Sequence, residues 1–325
     1  MSAARRISVQ VPKLAEWNKA FRLKGGSVKV PRCTLSNPTG AAQALAKLNI
    51  RNPQETTVVE LYPGLGVWTA ALFNANFKRI ITLEPHAQYF QQVEQIAQQS
   101  NGVIEALKKD GYDWDTYVEL KKPEYLGQLI NTDWTEIHPN ILFTGTLPKA
   151  AKGEQLLAQF ATCIINKMAI HSMGRIQMAL WIPDALYKKY QKFVAPPGSS
   201  ARCKMGAVTE ACAQVKVIAT TNETCVYPNN EYHLVHITPF ASKIIKSQWD
   251  VFEYVLKHLF VMQKQPLSKM IKTLGPGADI ILGRLSFDPS IAIGQMTVKQ
   301  IDEVAIKFDQ WPLRPRVLFE DASIL

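Results

Sequence analysis

The stretch Val58-Val59-Glu60-Leu61-Tyr62-Pro63-Gly64-Leu65-Gly66 carries most of the fold information in this chain. A short apolar run rich in valine and leucine enters a turn with two glycines, and a second apolar segment, Val67 to Asn74, follows at once with helical character. Strand, tight turn and helix in that order bring bare backbone to the carboxyl end of a strand, where open α/β sheets bind nucleotides. The next strand-like run, Arg79 to Leu83, leads into Glu84, 18 positions beyond Gly66. An acid about 20 residues after such a turn is placed to hold a ribose hydroxyl. A third acid, Asp110, follows the strand-like run Val103 to Leu107. The turn by itself is equally consistent with a structural bend; strand, turn and spaced acids together point to a nucleoside site.

Working outward, strand-like and helix-like runs keep alternating. Helices are expected at Ala41 to Leu48, Gln88 to Gln99 and Gly153 to Ile165, with further strands at Asn140 to Phe143 and Ile176 to Trp181. Alternation of this kind means βαβ units and a mostly parallel sheet covered on both faces. After Pro183, Val215 to Ala219 and His233 to Ile237 read as strands that close the sheet in antiparallel fashion. From Ser247 the chain turns helical: Trp249 to Met262 is amphipathic, Leu267 to Leu274 ends at Gly275, and Thr297 to Gln300 forms a capping box for a helix to Gln310, before Pro312. The expected organisation is therefore a basic N-terminal arm over 1–29, an α/β domain over 30–240 and a small all-helical C-terminal domain over 241–325.

The chain has 325 residues with 37 basic and 27 acidic side chains, a formal charge of +10. Such a balance favours a polyanionic partner without choosing one. The excess is uneven: seven basic against one acidic in 1–29, ten against twelve in 30–150, nine against five in 151–240, and eleven against nine thereafter. The arm, beginning Ser2-Ala3-Ala4-Arg5-Arg6, has the composition of a mitochondrial targeting segment, although Ile7 to Val11 alternates as a strand would; a solvated basic arm is the other reading. No apolar run is long enough to span a membrane, and no secretory pattern is seen, so an intracellular or organellar protein is expected. The five cysteines, Cys33, Cys163, Cys203, Cys212 and Cys225, lie apart and suggest reduced thiols rather than disulfides or a zinc ribbon. His233 and His236, three apart on a strand, point to opposite faces, so no metal site is expected.

Glu60-Leu61-Tyr62-Pro63-Gly64-Leu65-Gly66, Leu83-Glu84-Pro85, Lys109-Asp110 and Gly145-Thr146-Leu147-Pro148 fall in an order that resembles the ribosomal RNA adenine N6-dimethyltransferases. The resemblance covers nearly the whole chain, from Arg32 to Leu48 at the start to Trp249 to Leu274 near the end. It implies a Rossmann-like class I methyltransferase domain that binds S-adenosylmethionine, with a helical C-terminal domain. Leu61-Tyr62-Pro63-Gly64, Lys109-Asp110-Gly111-Tyr112-Asp113-Trp114 and Gln310-Trp311-Pro312-Leu313-Arg314-Pro315 resemble one branch more closely, the fungal mitochondrial transcription factor B proteins. That branch implies an initiation factor of the mitochondrial matrix that works with the single-subunit mitochondrial RNA polymerase, melts promoter DNA and holds the non-template strand. The alternative is an active dimethyltransferase of mitochondrial small-subunit rRNA.

The active enzymes carry Asn-Leu-Pro followed by Tyr or Phe, whereas this chain reads Thr146-Leu147-Pro148-Lys149. A threonine hydroxyl lacks the reach of the amide that fixes the adenine amine, and a lysine cannot stack on a base. No residue is therefore assigned a catalytic role. The resemblance carries the cofactor pocket onto Cys33, Leu35, Tyr62, Gly64, Gly66, Glu84, Asp110 and Thr146, with Tyr62 where the enzymes have glycine. This pocket is read as vestigial, with residual S-adenosylmethionine binding left open.

A factor that holds melted DNA needs aromatic platforms for bases and cations for phosphates. Tyr112 and Trp114, just beyond Asp110, are expected at the rim of the old pocket, with packing under a loop as the other reading of Trp114. Arg202 and Lys204, after Pro196-Pro197-Gly198-Ser199-Ser200, resemble the family's basic segment facing RNA and are candidates for strand contact, with solvated loop charges as the other reading. Lys257 and Lys264 recur with His258, Lys269 and Lys272 at helical spacing and are further candidates, or simply a solvated face.

Overall fold

In the computed structural model, described for residues 8–13, 16, 32–149, 151–193, 197–198, 203–222, 225–316 and 318, the chain separates into two compact units. One falls within Met1–Tyr187 and Val215–Ala241, the other within Lys188–Gln214 and Ser242–Leu325. Residues 188–214, which the sequence pattern assigns to the α/β domain, thus cluster with the C-terminal unit. The reason is local: the helix Lys204–Cys212 buries Ala207, Val208 and Ala211, Lys204 pairs with Glu253, and Gly198 N donates to Gly294 O. Most of the basic arm, and Arg202, lie outside the described residues.

The first unit is built on a seven-stranded sheet. Its strands are β2 (Thr57–Leu61), β3 (Arg79–Leu83), β4 (Ile104–Leu107), β5 (Ile141–Thr146), β6 (Gln177–Pro183), β7 (Ala213–Thr220) and β9 (Tyr232–Pro239), in the order β4-β3-β2-β5-β6-β9-β7. The pairs from β4 through β6 are parallel, and β9 runs antiparallel to β6, with Pro183 opposite Tyr232. β1 (Thr34–Leu35) and β8 (Val226–Tyr227) form a separate antiparallel pair. The chain leaves β2 to β3 on one side and returns through β5 on the other, so the order reverses between β2 and β5. A crevice at the carboxyl ends of these two strands is where such Rossmann-like sheets place a ligand.

Every residue of β2 and β5 is buried, as expected of strands covered on both faces. β5 runs three residues further than its apolar run suggests, because Thr144, Gly145 and Thr146 pair with Ala179, Leu180 and Trp181 of β6. A Cβ on Gly145 would lie 2.3 Å from the Leu61 carbonyl oxygen, so only glycine lets β5 approach β2 here. The helix Val67–Asn74 is buried around its whole circumference from Val67 to Phe73. It packs against Pro38–Leu48, which starts with Asn37 accepting from Gly40 N at 3.0 Å and Pro38 in the first turn. Helices Trp114–Leu120 and Asp184–Phe193 escape the apolar pattern: the first is too short for a clear period, and the second is polar at half of its positions.

The second unit is helical. Trp249–Leu259 buries seven of its eleven residues and gives way to a tight 3-10 turn at Phe260–Met262, where an unbroken helix is expected from sequence. Val298–Asp309 is opened by Thr297 with a complete capping box. Its buried Asp302 accepts from Lys246 N, Ser247 N and Ser247 Oγ, satisfying the start of the preceding helical region. No helix among the described residues is long and apolar enough to cross a membrane.

Candidate functional site

The crevice at the ends of β2, β3, β4 and β5 gathers the acids singled out by spacing. Glu84 is fully buried, and its carboxylate is held by the guanidinium of Arg32 in a two-pronged pair, Nη1 to Oε1 at 3.1 Å and Nη2 to Oε2. The same carboxylate accepts from His86 N at 3.1 Å and Gly64 N at 3.4 Å. Arg32 also lies over two rings, 4.6 Å from that of Tyr89 and 5.0 Å from that of Tyr62, and its carbonyl accepts from the Tyr89 hydroxyl. Bidentate pairing and ring contacts together give the Arg32–Glu84 pair its polar and aromatic partners.

Asp110, after β4, is also fully engaged. Its Oδ1 accepts from the Tyr62 hydroxyl at 2.5 Å and from Tyr112 N at 3.0 Å, and its Oδ2 from Lys152 Nζ at 2.5 Å. Burial opposes its ionisation, but the three donors outweigh burial and hold its carboxyl below the usual range. Tyr62 moves the other way: burial first, then its hydrogen bond to Asp110, push the phenol far up. The ring is 2% exposed and stands on a backbone with φ of +50°, a conformation that favours glycine. Glycine would take this turn geometry without strain, and burial of the ring offsets the strain of a tyrosine.

The glycines of the turn are used in the same inward manner. A Cβ on Gly64 would meet Thr34 Oγ1 at 2.3 Å, and one on Gly66 would meet Ile96 Cδ1 at 2.3 Å. Thr34 Oγ1 itself accepts from Leu65 N at 3.1 Å. The clearance that lets a phosphate or nucleoside approach in other α/β sheets is taken here by the chain's own side chains. As arranged, the residues do not fit S-adenosylmethionine: all four oxygens of Glu84 and Asp110 already have donors from within the chain.

The first half of Thr146-Leu147-Pro148-Lys149 is equally closed. Thr146 is 2% exposed and Leu147 fully buried, Leu147 N donates to Trp181 O at 2.9 Å, and Leu147 O accepts from the Tyr232 hydroxyl at 3.1 Å. Lys149 is exposed. Cys33 is half-buried, with Asn230 Nδ2 3.8 Å from its sulfur, and Leu35 is buried in the core. Beneath the turn, Glu60 is wholly buried; burial raises its pKa to about 8, Thr69 donates to Oε2 at 2.7 Å, and Oε1 has no partner.

The rim differs. Tyr112 and Trp114 are 38% and 46% exposed, one just before and one at the start of the helix Trp114–Leu120. Lys152 Nζ lies 5.3 Å from the Tyr112 ring. In the C-terminal unit Lys257 and Lys264 are exposed, whereas Lys204 is half-buried against Glu253 at 3.3 Å. His233 and His236 diverge: His236 Nε2 lies 2.9 Å from Gln177 Oε1, and His233 faces Asp184, Thr220 and Tyr187. Asp184, Glu231 and His233 do bring potential ligand atoms within 4.8 Å of one another, a grouping that separation along the chain conceals.

Arg32, Lys152, Tyr89 and Tyr232 are the residues that spacing alone misses. Arg32 stands beside Cys33, but nothing in its surroundings announces an acid 52 positions away. Lys152 lies three positions after Lys149, on the helix Ala151–Asn166 that β5 feeds.

The family model of ribosomal RNA adenine dimethylase matches residues 34–304. Mitochondrial transcription factor 1 of Saccharomyces paradoxus is 27% identical over 88% of this chain and 90% of its own length. The mitochondrial dimethyladenosine transferase 1 of Vermamoeba vermiformis is 22% identical over 80% of this chain and 84% of its own. Among solved structures, a dimethyladenosine transferase from Plasmodium falciparum superposes with a TM-score of 0.62 at 14% identity, covering 85% of this chain and 98% of that one, a likeness of fold.

Proposed function

The chain belongs to the ribosomal RNA adenine dimethylase family, and from that premise we propose that it is a transcription initiation factor of the mitochondrial matrix that has kept the enzyme fold without the chemistry. It acts with the single-subunit mitochondrial RNA polymerase, helps to open promoter DNA and holds the melted non-template strand. The observation that carries this reading is the contrast at the crevice: the carboxylates of Glu84 and Asp110 are paired within the chain by Arg32, Tyr62 and Lys152, while Tyr112 and Trp114 remain exposed beside them. The relatives named mitochondrial transcription factor 1 support it further.

In this reading Tyr112 and Trp114 stack on unpaired bases, and Lys257 and Lys264 supply charge toward phosphate or polymerase. Lys204 contributes less, because Glu253 offsets it. The basic arm serves import or DNA contact, and the helical region after residue 240 is a separate domain. Run-off transcription with the cognate polymerase tests the proposal: a linear promoter should require this protein, and a pre-melted promoter should relieve the requirement. Equal dependence on both templates would count against it.

The competing reading is an rRNA adenine dimethyltransferase, which the mitochondrial dimethyladenosine transferases among the relatives favour less strongly. Restoring the motif by Thr146→Asn with Lys149→Tyr distinguishes the two. We expect no methyl transfer to an adenine-containing RNA hairpin, since Arg32, Tyr62, Lys152 and Tyr232 still occupy the groups that would hold cofactor and base.

A further inference from the structure

We infer that the closed pocket now serves as a support: Tyr62, Asp110 and Lys152 form a mount that fixes the aromatic rim of Tyr112 and Trp114 in the orientation needed to receive an unpaired base. This inference rests on the reading of that rim as a base platform.

The mount is visible atom by atom. Asp110 Oδ1 joins the buried Tyr62 hydroxyl, at 2.5 Å, to the backbone N–H of Tyr112, at 3.0 Å. Lys152 binds the other oxygen and spans the two rings, 5.6 Å from Tyr62 and 5.3 Å from Tyr112. The Asp110 carbonyl accepts from Thr116 Oγ1 at 2.7 Å and from Asp113 N at 3.1 Å, which ties the first turn of the helix bearing Trp114 to the same residue. That helix makes no side-chain cap of its own at Asp113. Gly111 is pressed against β2, where an added Cβ would meet Leu61 Cδ2 at 1.9 Å, and its carbonyl accepts from Tyr117. The bonds that orient the segment 110–116 at its start thus run through Asp110 or its neighbour into the former cofactor pocket.

A stacking platform contributes to binding only to the extent that its orientation is already set, since ordering it on contact lowers affinity. An acid at a nucleoside-binding position has been left in place here, with a tyrosine and a lysine as its ligands, and the ring beside it is held instead of a cofactor. Tyr62, Asp110 and Lys152 are positioning residues in this scheme and need not touch DNA.

The test uses the full chain and two fluorescent probes, a promoter-like duplex and the same duplex with a pre-melted segment, titrated at several salt concentrations. Tyr62→Phe, which removes one hydroxyl from the mount, and Asp110→Asn should each weaken binding to the pre-melted probe by about tenfold, the size expected for one mispositioned stacking contact. For Tyr62→Phe, which leaves the charge unchanged, duplex affinity and the salt slope should stay as in the parent, because no phosphate contact is lost. Trp114→Ala should weaken the same probe and serves as the control for the platform itself. Weakening by Trp114→Ala with parental affinity for Tyr62→Phe overturns the mount alone. Parental affinity for Trp114→Ala overturns the platform and the mount with it. Each variant is titrated well below its own melting temperature, so that both probes meet folded protein; equal losses on both probes would mean a purely structural role and overturn the inference.

Discussion

The floor and the rim of the crevice obey opposite rules, although fewer than a dozen residues of chain separate Leu107 from Trp114. On the floor, Glu84 is buried, Asp110 is half-buried, and each carboxylate is answered from within, Glu84 by Arg32 and Asp110 by Lys152 and Tyr62. At the rim, Tyr112 and Trp114 keep more than a third of their surface exposed. A floor whose two crevice carboxylates are already paired has little reason to bind a small ligand through them, whereas an exposed aromatic pair beside a cation suits a flat, unpaired base. In the proposed reading, an enzyme pocket is retired without being emptied, because its carboxylates are too costly to bury unpaired and must be given new partners.

Substitutions on the floor should therefore reach stability, and those at the rim should not. The largest effect is expected from pH and Glu60. Its pKa is raised to about 8 in the folded chain, so between the ordinary carboxyl value and pH 8 the unfolded state has released a proton that the folded state keeps. Stability conferred at low pH is then lost as pH rises toward 8, on the order of 5 kcal/mol in all. Denaturant titrations across that range should show the decline in the parent and a flatter profile in Glu60→Gln; matching profiles would remove Glu60 from the floor's energetics.

Glu84→Ala should follow, at about 3 to 5 kcal/mol, because it strands the Arg32 guanidinium and the Gly64 and His86 N–H groups. Urea unfolding at neutral pH measures it. Tyr62→Phe should cost about 1.5 to 3 kcal/mol, the value of a hydrogen bond to a charged acceptor. Calorimetric titration of the parent and of this variant with S-adenosylmethionine should give no binding heat, since Arg32 stays on Glu84 and Lys152 on Asp110. Trp114→Ala sits at the other extreme: being 46% exposed, it should change stability by no more than about 0.5 kcal/mol while altering DNA binding. A large loss of stability there would erase the contrast between floor and rim.

Much of this architecture was legible in the residue order. β2, the helix Val67–Asn74 and β3 lie where the apolar runs place them, because buried parallel strands and a helix buried all round leave unbroken apolar signals. The acids Glu84 and Asp110 were legible from their spacing, and Thr146 and Lys149 from their departure from the enzyme motif. Lys204 illustrates the limit: its charge is visible, but the Glu253 that offsets it is 49 positions away. The grouping of residues 188–214 with the C-terminal unit escapes for the same reason, since it depends on which neighbours the helix Lys204–Cys212 finds.

By itself, then, the order of residues determined the parallel sheet, the glycine turn and the acidic pair, because each is written in local periodicity or short spacing. Tertiary structure decided what became of the pocket. Arg32 reaches Glu84 across 52 positions, Tyr62 reaches Asp110 across 48, and Lys152 reaches Asp110 across 42. Charge pairing is a matter of distance in space, and burial makes it compulsory; no local pattern records which cation will answer which acid.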